Sequence, residues 1–271
     1  MNKYIKDYIN LTYGINVEHC TKEDFLKVTE IKTSDVTGIS KTQDSYDWDY
    51  SKFPNLKILD CSHNYIDTIN VLQNTLLEEI IWQGVRGYFS NPINLSGNVH
   101  LKKITAGQDG LVEIDFSNNV ELEEININLS STLRWVNLDN CPKLKRIGLR
   151  GASIPFVDLT HCPNLEYCDI HYWNLFRNKR DVYGDGYPRP LIFVPNDFDE
   201  NIIPTNTRTQ SYYAYYLIRT QSNSAESRFL EFLKSKRNDI ISMPSDNYGQ
   251  NLAKMHYQLL ETLSSFRNEN F

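Results

Sequence analysis

The chain has no apolar run long enough to span a membrane. Nor does it begin like a secretory leader. Lys3 and Lys6 are present, but YIKDYINLTYGI is broken by Asp7 and Asn10 and has no apolar h-region or cleavage site. The expected location is therefore the cytoplasm, with export by a specialised route, or a mature form trimmed of its signal, as the alternatives. Cysteine is scarce: five residues, without the close pairs used by zinc or redox motifs, give no disulfide framework. A nucleophile elbow, a phosphate loop and a paired-histidine metal site are all missing, so no catalytic residue, metal or cofactor is expected. Asp197 and Asp199 are spaced like the start of a calcium loop, but the remaining ligands do not follow. Strong charge of either sign is absent as well. A net charge of −6 with 23% charged residues argues against a polyphosphate binder or a disordered acidic tail. The basic clusters Arg177, Lys179, Arg180 and Lys234, Lys236, Arg237 are short, so no nucleic-acid partner is expected.

What the chain does have is a repeat. Between Leu56 and Ile170 the segments LKILDC, LLEEIIW, HLKKITA, LVEIDF, ELEEINI, TLRWVNL, KLKRIGL, SIPFVDL and NLEYCDI recur with matching apolar positions. The anchors Leu56, Leu77, Leu101, Leu122, Leu144 and Leu165 are mostly 21 residues apart, with one step of 24. A second set, at Ile66, Leu111, Leu133 and Ile154, lies about half a repeat out of phase. Two apolar residues spaced by two fit a short strand whose alternate side chains face inward. Such a strand cannot bury its inner face alone, so the coils must stack into a solenoid. Asn64, Asn74, Asn119, Cys141 and Cys162 follow at corners, where small side chains bond to, or pack under, a bending backbone. Cys141 and Cys162 are expected to stack as buried reduced thiols, against the alternatives of a disulfide or a ligand role.

This pattern resembles the leucine-rich repeat family, and more narrowly its bacterial variety with alternating units like L-x-x-L-D-L-S-N-C-P. The nearest copies are LRWVNLDNCPKLKRIGL from Leu133 and IPFVDLTHCPNLEYCDI from Ile154, followed by LVEIDFSNNVELEEINI from Leu111. The resemblance covers roughly residues 21–173 and implies an α/β repeat solenoid that recognises macromolecules. It breaks at GYFSNPINLSGNVH, residues 87–100, where a bulge or protruding loop is expected. HCTKEDFLKVTEIKTSDVTGI, with Thr21 as N-cap and Asp24 three residues on, resembles the helical cap of internalin-type repeat domains. Tyr4, Ile5, Tyr8 and Ile9 at helical spacing predict a further capping helix. The expected organisation is a helical cap at 1–29, a solenoid at 30–173 and a C-terminal capping region at 174–271, irregular to about 210 and then helical.

Placed on the repeat, the outward residues of the first strand set form columns. One holds Ile58, Glu79, Lys103, Glu124, Arg146 and Tyr167; the next holds Asp60, Ile81, Thr105, Asn126, Gly148 and Asp169; a third holds Ser62, Gln83, Gly107, Asn128, Arg150 and His171. The partner-binding residues expected from this placement are Ile58, Asp60, Glu79, Ile81, Lys103, Glu124, Arg146, Tyr167, Asp169 and His171. The partner is an unidentified protein. Ile58, Ile81 and Tyr167 are open between partner contact and coverage by a neighbouring segment, whereas Trp82 is inward and expected in the core. The second strand set presents Trp135 and Phe156 beside Asp115, Asn137 and Asp158, a surface suited to receive the C-terminal region.

Beyond Trp173, turn residues Gly184, Gly186, Pro188, Pro190, Pro195 and Pro204 disfavour helix, and LIFV is a strand candidate. Asn223 with Glu226 predicts a capping box, and Leu252, Met255, Leu259, Leu260, Leu263 and Phe266 mark the last helix. SYYAYYLI fits either a helix or a strand. Two functions of different kinds follow: a protein-interaction module, or an effector whose C-terminal region carries an enzymatic activity aimed by the repeats. Sheet faces and edges leave the oligomeric state open.

Overall fold

The computed structural model describes residues 3–35, 46–64, 66–83, 93–107, 110–170, 190–203, 216–243 and 248–268. Its architecture is a parallel-strand, leucine-rich-repeat-like α/β solenoid. The first strand set comprises β1 (Glu30–Lys32), β3 (Ile58–Asp60), β5 (Glu79–Gln83), β6 (Lys103–Gly107), β8 (Glu124–Ile127), β10 (Arg146–Gly148) and β12 (Tyr167–Asp169). These pair in that order into one parallel seven-stranded sheet. The second set forms three smaller parallel sheets: β2 (Tyr46–Asp49) with β4 (Ile66–Asn70), β7 (Glu113–Asp115) with β9 (Trp135–Asn137), and β11 (Phe156–Asp158) with β13 (Leu191–Pro195) and β14 (Tyr216–Thr220). Residues 93–100 carry no strand, so the second face is interrupted where the sequence leaves its repeat. The rest of that break, residues 87–92, lies outside the described residues.

Register follows from one inward residue per coil. Ile31, Leu59, Ile80, Ile104, Ile125, Ile147 and Cys168 are Cα partners across successive strands, and each is at most 1% exposed. A buried Ile or Leu at such a site contributes about 1.5–3 kcal/mol. A one-residue slip would turn the whole column to solvent, so the register is strongly specified. Trp82 is fully buried in this core.

The corners are built from one recurring bond. The backbone N–H of Leu77, Leu101, Leu122, Leu144 and Leu165 donates to the carbonyl of Asn74, Asn98, Asn119, Cys141 and Cys162, three residues earlier, at 3.0–3.3 Å. The asparagines form a ladder through the core. Asn74 Nδ2 donates to Tyr50 O (3.0 Å) and Phe53 O (2.8 Å), Asn98 Nδ2 to Val71 O (2.8 Å) and Asn74 O (2.9 Å), and Asn119 Nδ2 to Leu95 O (3.1 Å) and Asn98 O (2.8 Å). Each amide thereby supplies donors to two buried carbonyls of the preceding coil. Cys141 and Cys162 continue the column as buried free thiols, with Cys141 Sγ 3.6 Å from Phe116 O. Asn98 was not among the expected corner residues. Asn64 is not a rung: it donates to Cys61 O, Ser62 O and Thr33 Oγ1 at the end of a strand.

Two helices begin the described chain, α1 (Lys3–Tyr13) and α2 (Lys22–Phe25). Ile5, Tyr8 and Ile9 of α1 are buried, and Phe25 meets Phe53 edge-on with centroids 5.4 Å apart. Thr21 and Asp24 form the capping box of α2. Tyr13 Oη donates to Glu30 O (2.9 Å) and accepts from Glu30 N (3.0 Å), so one hydroxyl engages both backbone polar groups at the start of edge strand β1.

At the other end β13 and β14 extend the second face, and α3 (Ala225–Ser235), α4 (Arg237–Ile241) and α5 (Tyr248–Asn268) pack over it. The segment expected to be irregular up to about residue 210 thus contains strand β13, and the end of SYYAYYLI is strand β14. A second apolar core joins Trp135, Phe156, Leu191, Phe193 and Ile218 to Phe229, Leu230, Leu233, Ile240, Leu259 and Leu263. Trp135 and Phe156 meet edge to face at 5.2 Å and so receive the C-terminal region. The cap of α3 is Ser224, whose side chain accepts from Ser227 N, rather than Asn223, which is left-handed at φ 62° just before it. Glu226 instead pairs with Arg267 Nε at 2.8 Å.

Candidate partner-binding face

Pairing of the seven strands sets the outward side chains in rows. Glu30, Ile58, Glu79, Lys103, Glu124, Arg146 and Tyr167 form one, and Lys32, Asp60, Ile81, Thr105, Asn126, Gly148 and Asp169 the next. The structure therefore brings nine of the ten expected binding residues onto one face; His171 lies outside the described residues. Ile58, Ile81 and Tyr167 are half-buried, and Arg146 is exposed. Asp169 lies within the face but is only 7% exposed, beneath Tyr167 Oη (3.3 Å) and Arg150 Nε (3.7 Å). Burial, reinforced by the Asp169 carboxylate, raises the Tyr167 phenol above its ordinary pKa, while Arg146 lies 4.4 Å over its ring.

Charges within and between these rows neutralise one another. Lys103 meets Glu79 at 3.4 Å, Lys32 meets Glu30 at 2.7 Å, and Ser34 Oγ donates to Asp60 at 2.8 Å. The centre of the face is shallow and rich in carboxamide. Any Cβ at Gly107 would lie 2.3 Å from Asn128 O, so no side chain can stand there, and Asn128 Oδ1 accepts from Arg150 N at 2.8 Å. The face thus combines apolar contacts at Ile58 and Ile81, an Arg–Tyr stack at one end, and amide donors and acceptors between them.

Beside this face runs a charge ladder absent from the expected site. The residue after each leucine anchor is Lys57, Glu78, Lys102, Glu123, Lys145 and Glu166, so sign changes at every coil. Lys102 meets Glu78 at 2.7 Å, Lys57 meets Glu78 at 3.5 Å and Lys145 meets Glu123 at 2.7 Å. The Lys102 ammonium holds the Glu78 carboxyl below its ordinary range, and Glu78 reciprocally raises Lys102. The lysines are exposed and Glu78 and Glu123 half-buried at the surface, so each pair is weak. The ladder's signal in the sequence is the alternating sign of the column one place along from the leucine anchors.

The second face holds a groove of about 590 Å³ between β7, β9 and β11 and the helices. Ile93, Leu95, Trp135 and Phe156 give it an apolar floor; Glu113, Asp115, Asn137, Asp139 and Asp158 supply polar groups, and Lys234 and Arg237 form one wall. Lys234 Nζ reaches Asp139 Oδ1 at 2.7 Å and Asp158 Oδ2 at 2.8 Å, and Arg237 pairs with Glu113. Burial works against the Lys234 charge, but its bonds to Asp139 and Asp158 outweigh that and raise its pKa. Asp158 Oδ1 also accepts from Thr160 N (2.9 Å) and Oγ1 (2.6 Å). Ligand atoms of Asp139, Asp158 and His161 lie within 4.8 Å of one another, yet the Lys234 ammonium already bridges the two carboxylates. Buried Arg134 reaches from the solenoid to Ile241 O (3.0 Å) and Met243 O (2.5 Å), at the end of α4. Asp115, Asn137 and Asp158 form a column in the repeat, but nothing in the repeat period indicates that helices wall it in.

No protein-family model and no curated protein matches the chain. Among solved structures, the functional domain of InlJ from Listeria monocytogenes, which includes a cysteine ladder, is similar over 55% of this chain, with 19% identity and a TM-score of 0.44. The matched part spans 33% of that chain. No described helix is long and apolar enough to cross a membrane.

Proposed function

We propose that the protein is a protein-interaction module that holds a partner protein against the outward face of its seven-stranded sheet, without turnover. The observation that carries this reading is the unbroken registration of outward residues across seven coils, with Ile58, Ile81 and Tyr167 only half-buried. A sheet of that extent offers a broad surface in which aromatic and aliphatic anchors are set among charges that already balance one another. The C-terminal helices leave it free for that use, since their apolar residues are committed to Trp135, Phe156, Phe193 and Ile218 on the other strand set. Their role in this reading is to close the solenoid. The alternative of an enzymatic C-terminal region gains little from that apolar seal, or from a groove whose lysine and arginine are already ion-paired.

The repeats belong, in this reading, to the bacterial leucine-rich type with an internalin-like N-terminal cap, acting in the cytoplasm. The test is affinity capture from the native cell's lysate, comparing the intact protein with an Ile81→Lys, Tyr167→Glu variant of unchanged thermal midpoint. A protein partner retained by the first and lost by the second is the expected result. Equal capture by both would move the binding surface elsewhere.

A further inference from the structure

We propose that the groove between the second strand face and the C-terminal helices is a separate docking site for a basic side chain, arginine or lysine, carried on a partner peptide. It is independent of the seven-stranded face. Its volume lies within the roughly 300–1,000 Å³ common for small ligand sites.

The protein itself displays the chemistry. Two cationic side chains of its own C-terminal region already lie along the groove, Lys234 between Asp139 and Asp158 and Arg237 on Glu113. The rise in the Lys234 pKa, despite half-burial, shows that the local field favours positive charge. Four carboxylates line the groove against those two cations, leaving it net acidic.

One carboxylate has no cation. Asp115 is exposed, its Oδ1 accepts from Ser117 N at 2.9 Å, and no cation pairs with it among the described residues. Strand pairing places Asp115 opposite Asn137 and Glu113 opposite Trp135, so Asp115 stands two register positions from the Trp135 pair, on the same face of the strands as the indole of the groove floor. A guanidinium or ammonium entering there meets a carboxylate, the Asn137 carboxamide and an aromatic surface together. Cation–π contact with the indole adds to the attraction of the carboxylate. An acidic guest would meet four carboxylates, and a purely apolar one would strand Asp115 and Asn137 without water.

The test is a titration of acetyl-Gly-Arg-Gly-amide into the full chain, following the Trp135 indole N–H by NMR, with that resonance assigned through Trp135→Phe. The citrulline peptide is the neutral isostere, and Asp115→Asn is compared with Glu261→Gln, which removes one exposed charge far along α5. The arginine peptide is expected to shift the Trp135 resonance and the citrulline peptide to leave it. Asp115→Asn should weaken binding about threefold to fivefold, the scale of one exposed ion pair, and Glu261→Gln should not. Equal shifts by both peptides would make the groove a neutral peptide site. Equal loss in both variants would reduce the effect to net charge. Either result, or no shift at all with the fold intact, overturns the proposal.

Discussion

Asn119 illustrates how single side chains hold this solenoid together. Its Nδ2 is the donor for both Leu95 O and Asn98 O, two carbonyls deep in the preceding coil. Asn119→Ala removes both bonds and leaves Leu95 O and Asn98 O each with only its backbone donor, Asn98 N and Leu101 N, so it should lower the urea-unfolding free energy by about 1–3 kcal/mol. The thiols make a different prediction. Burial pushes the Cys141 thiol from 9.0 up to about 12. Above pH 9 the unfolded chain therefore releases a proton that the fold retains. The resulting stability is complete below pH 9 and declines from there through about 12, by up to about 1.4 kcal/mol per pH unit for this group. Urea melts between pH 8 and pH 11 test this; no added decline relative to Cys141→Ser would refute it. Backbone strain is visible at His63, an exposed residue at φ 60°, seven places after its leucine anchor, where Gly151 stands in its own coil at φ 80°. His63→Gly should raise the thermal midpoint slightly, by about 0.5–1 kcal/mol of stability.

At the scale of elements, the C-terminal helices are fixed by both an apolar core and specific polar bonds. Arg134 donates to Ile241 O and Met243 O, the carbonyls a short helix leaves unpaired at its end. Arg134→Met should loosen α4 and raise its hydrogen exchange while the seven-stranded sheet stays protected; uniform exchange across both would show one cooperative unit. The first strand set was fully legible in the sequence because every coil repeats its burial requirement, and period alone carries that information. Asn98 escaped notice because the irregular stretch before it hid the count back from Leu101, although the three-residue offset is the same as at Asn74 and Asn119. The cap of α3 fell at Ser224 because Asn223 is used to turn the chain through a left-handed conformation. Strand β14 was undecidable because a tyrosine-rich run fits either period, and its pairing partner, β13, lies more than twenty residues away in sequence.

For the whole molecule, closure at both ends matters as much as the repeat. The face columns could be assigned from sequence because stacking forces equivalent residues together. The groove could not, because it depends on where α3 and α4 land. Deleting residues 174–271 should uncover Trp135, Phe156 and the edge of β11, giving a protein that binds a hydrophobic dye and self-associates. A monomeric, non-dye-binding truncation would mean the helices are dispensable to the solenoid.

The lysine–glutamate ladder gives the solenoid a parity. Its shape repeats every coil, but its sign repeats every second coil, so removal of one coil leaves equal charges facing across the seam and removal of two restores the match. Duplication or loss of coils in pairs is therefore the change this edge accommodates without electrostatic conflict, and the smallest interchangeable length of the molecule is twice its visible repeat.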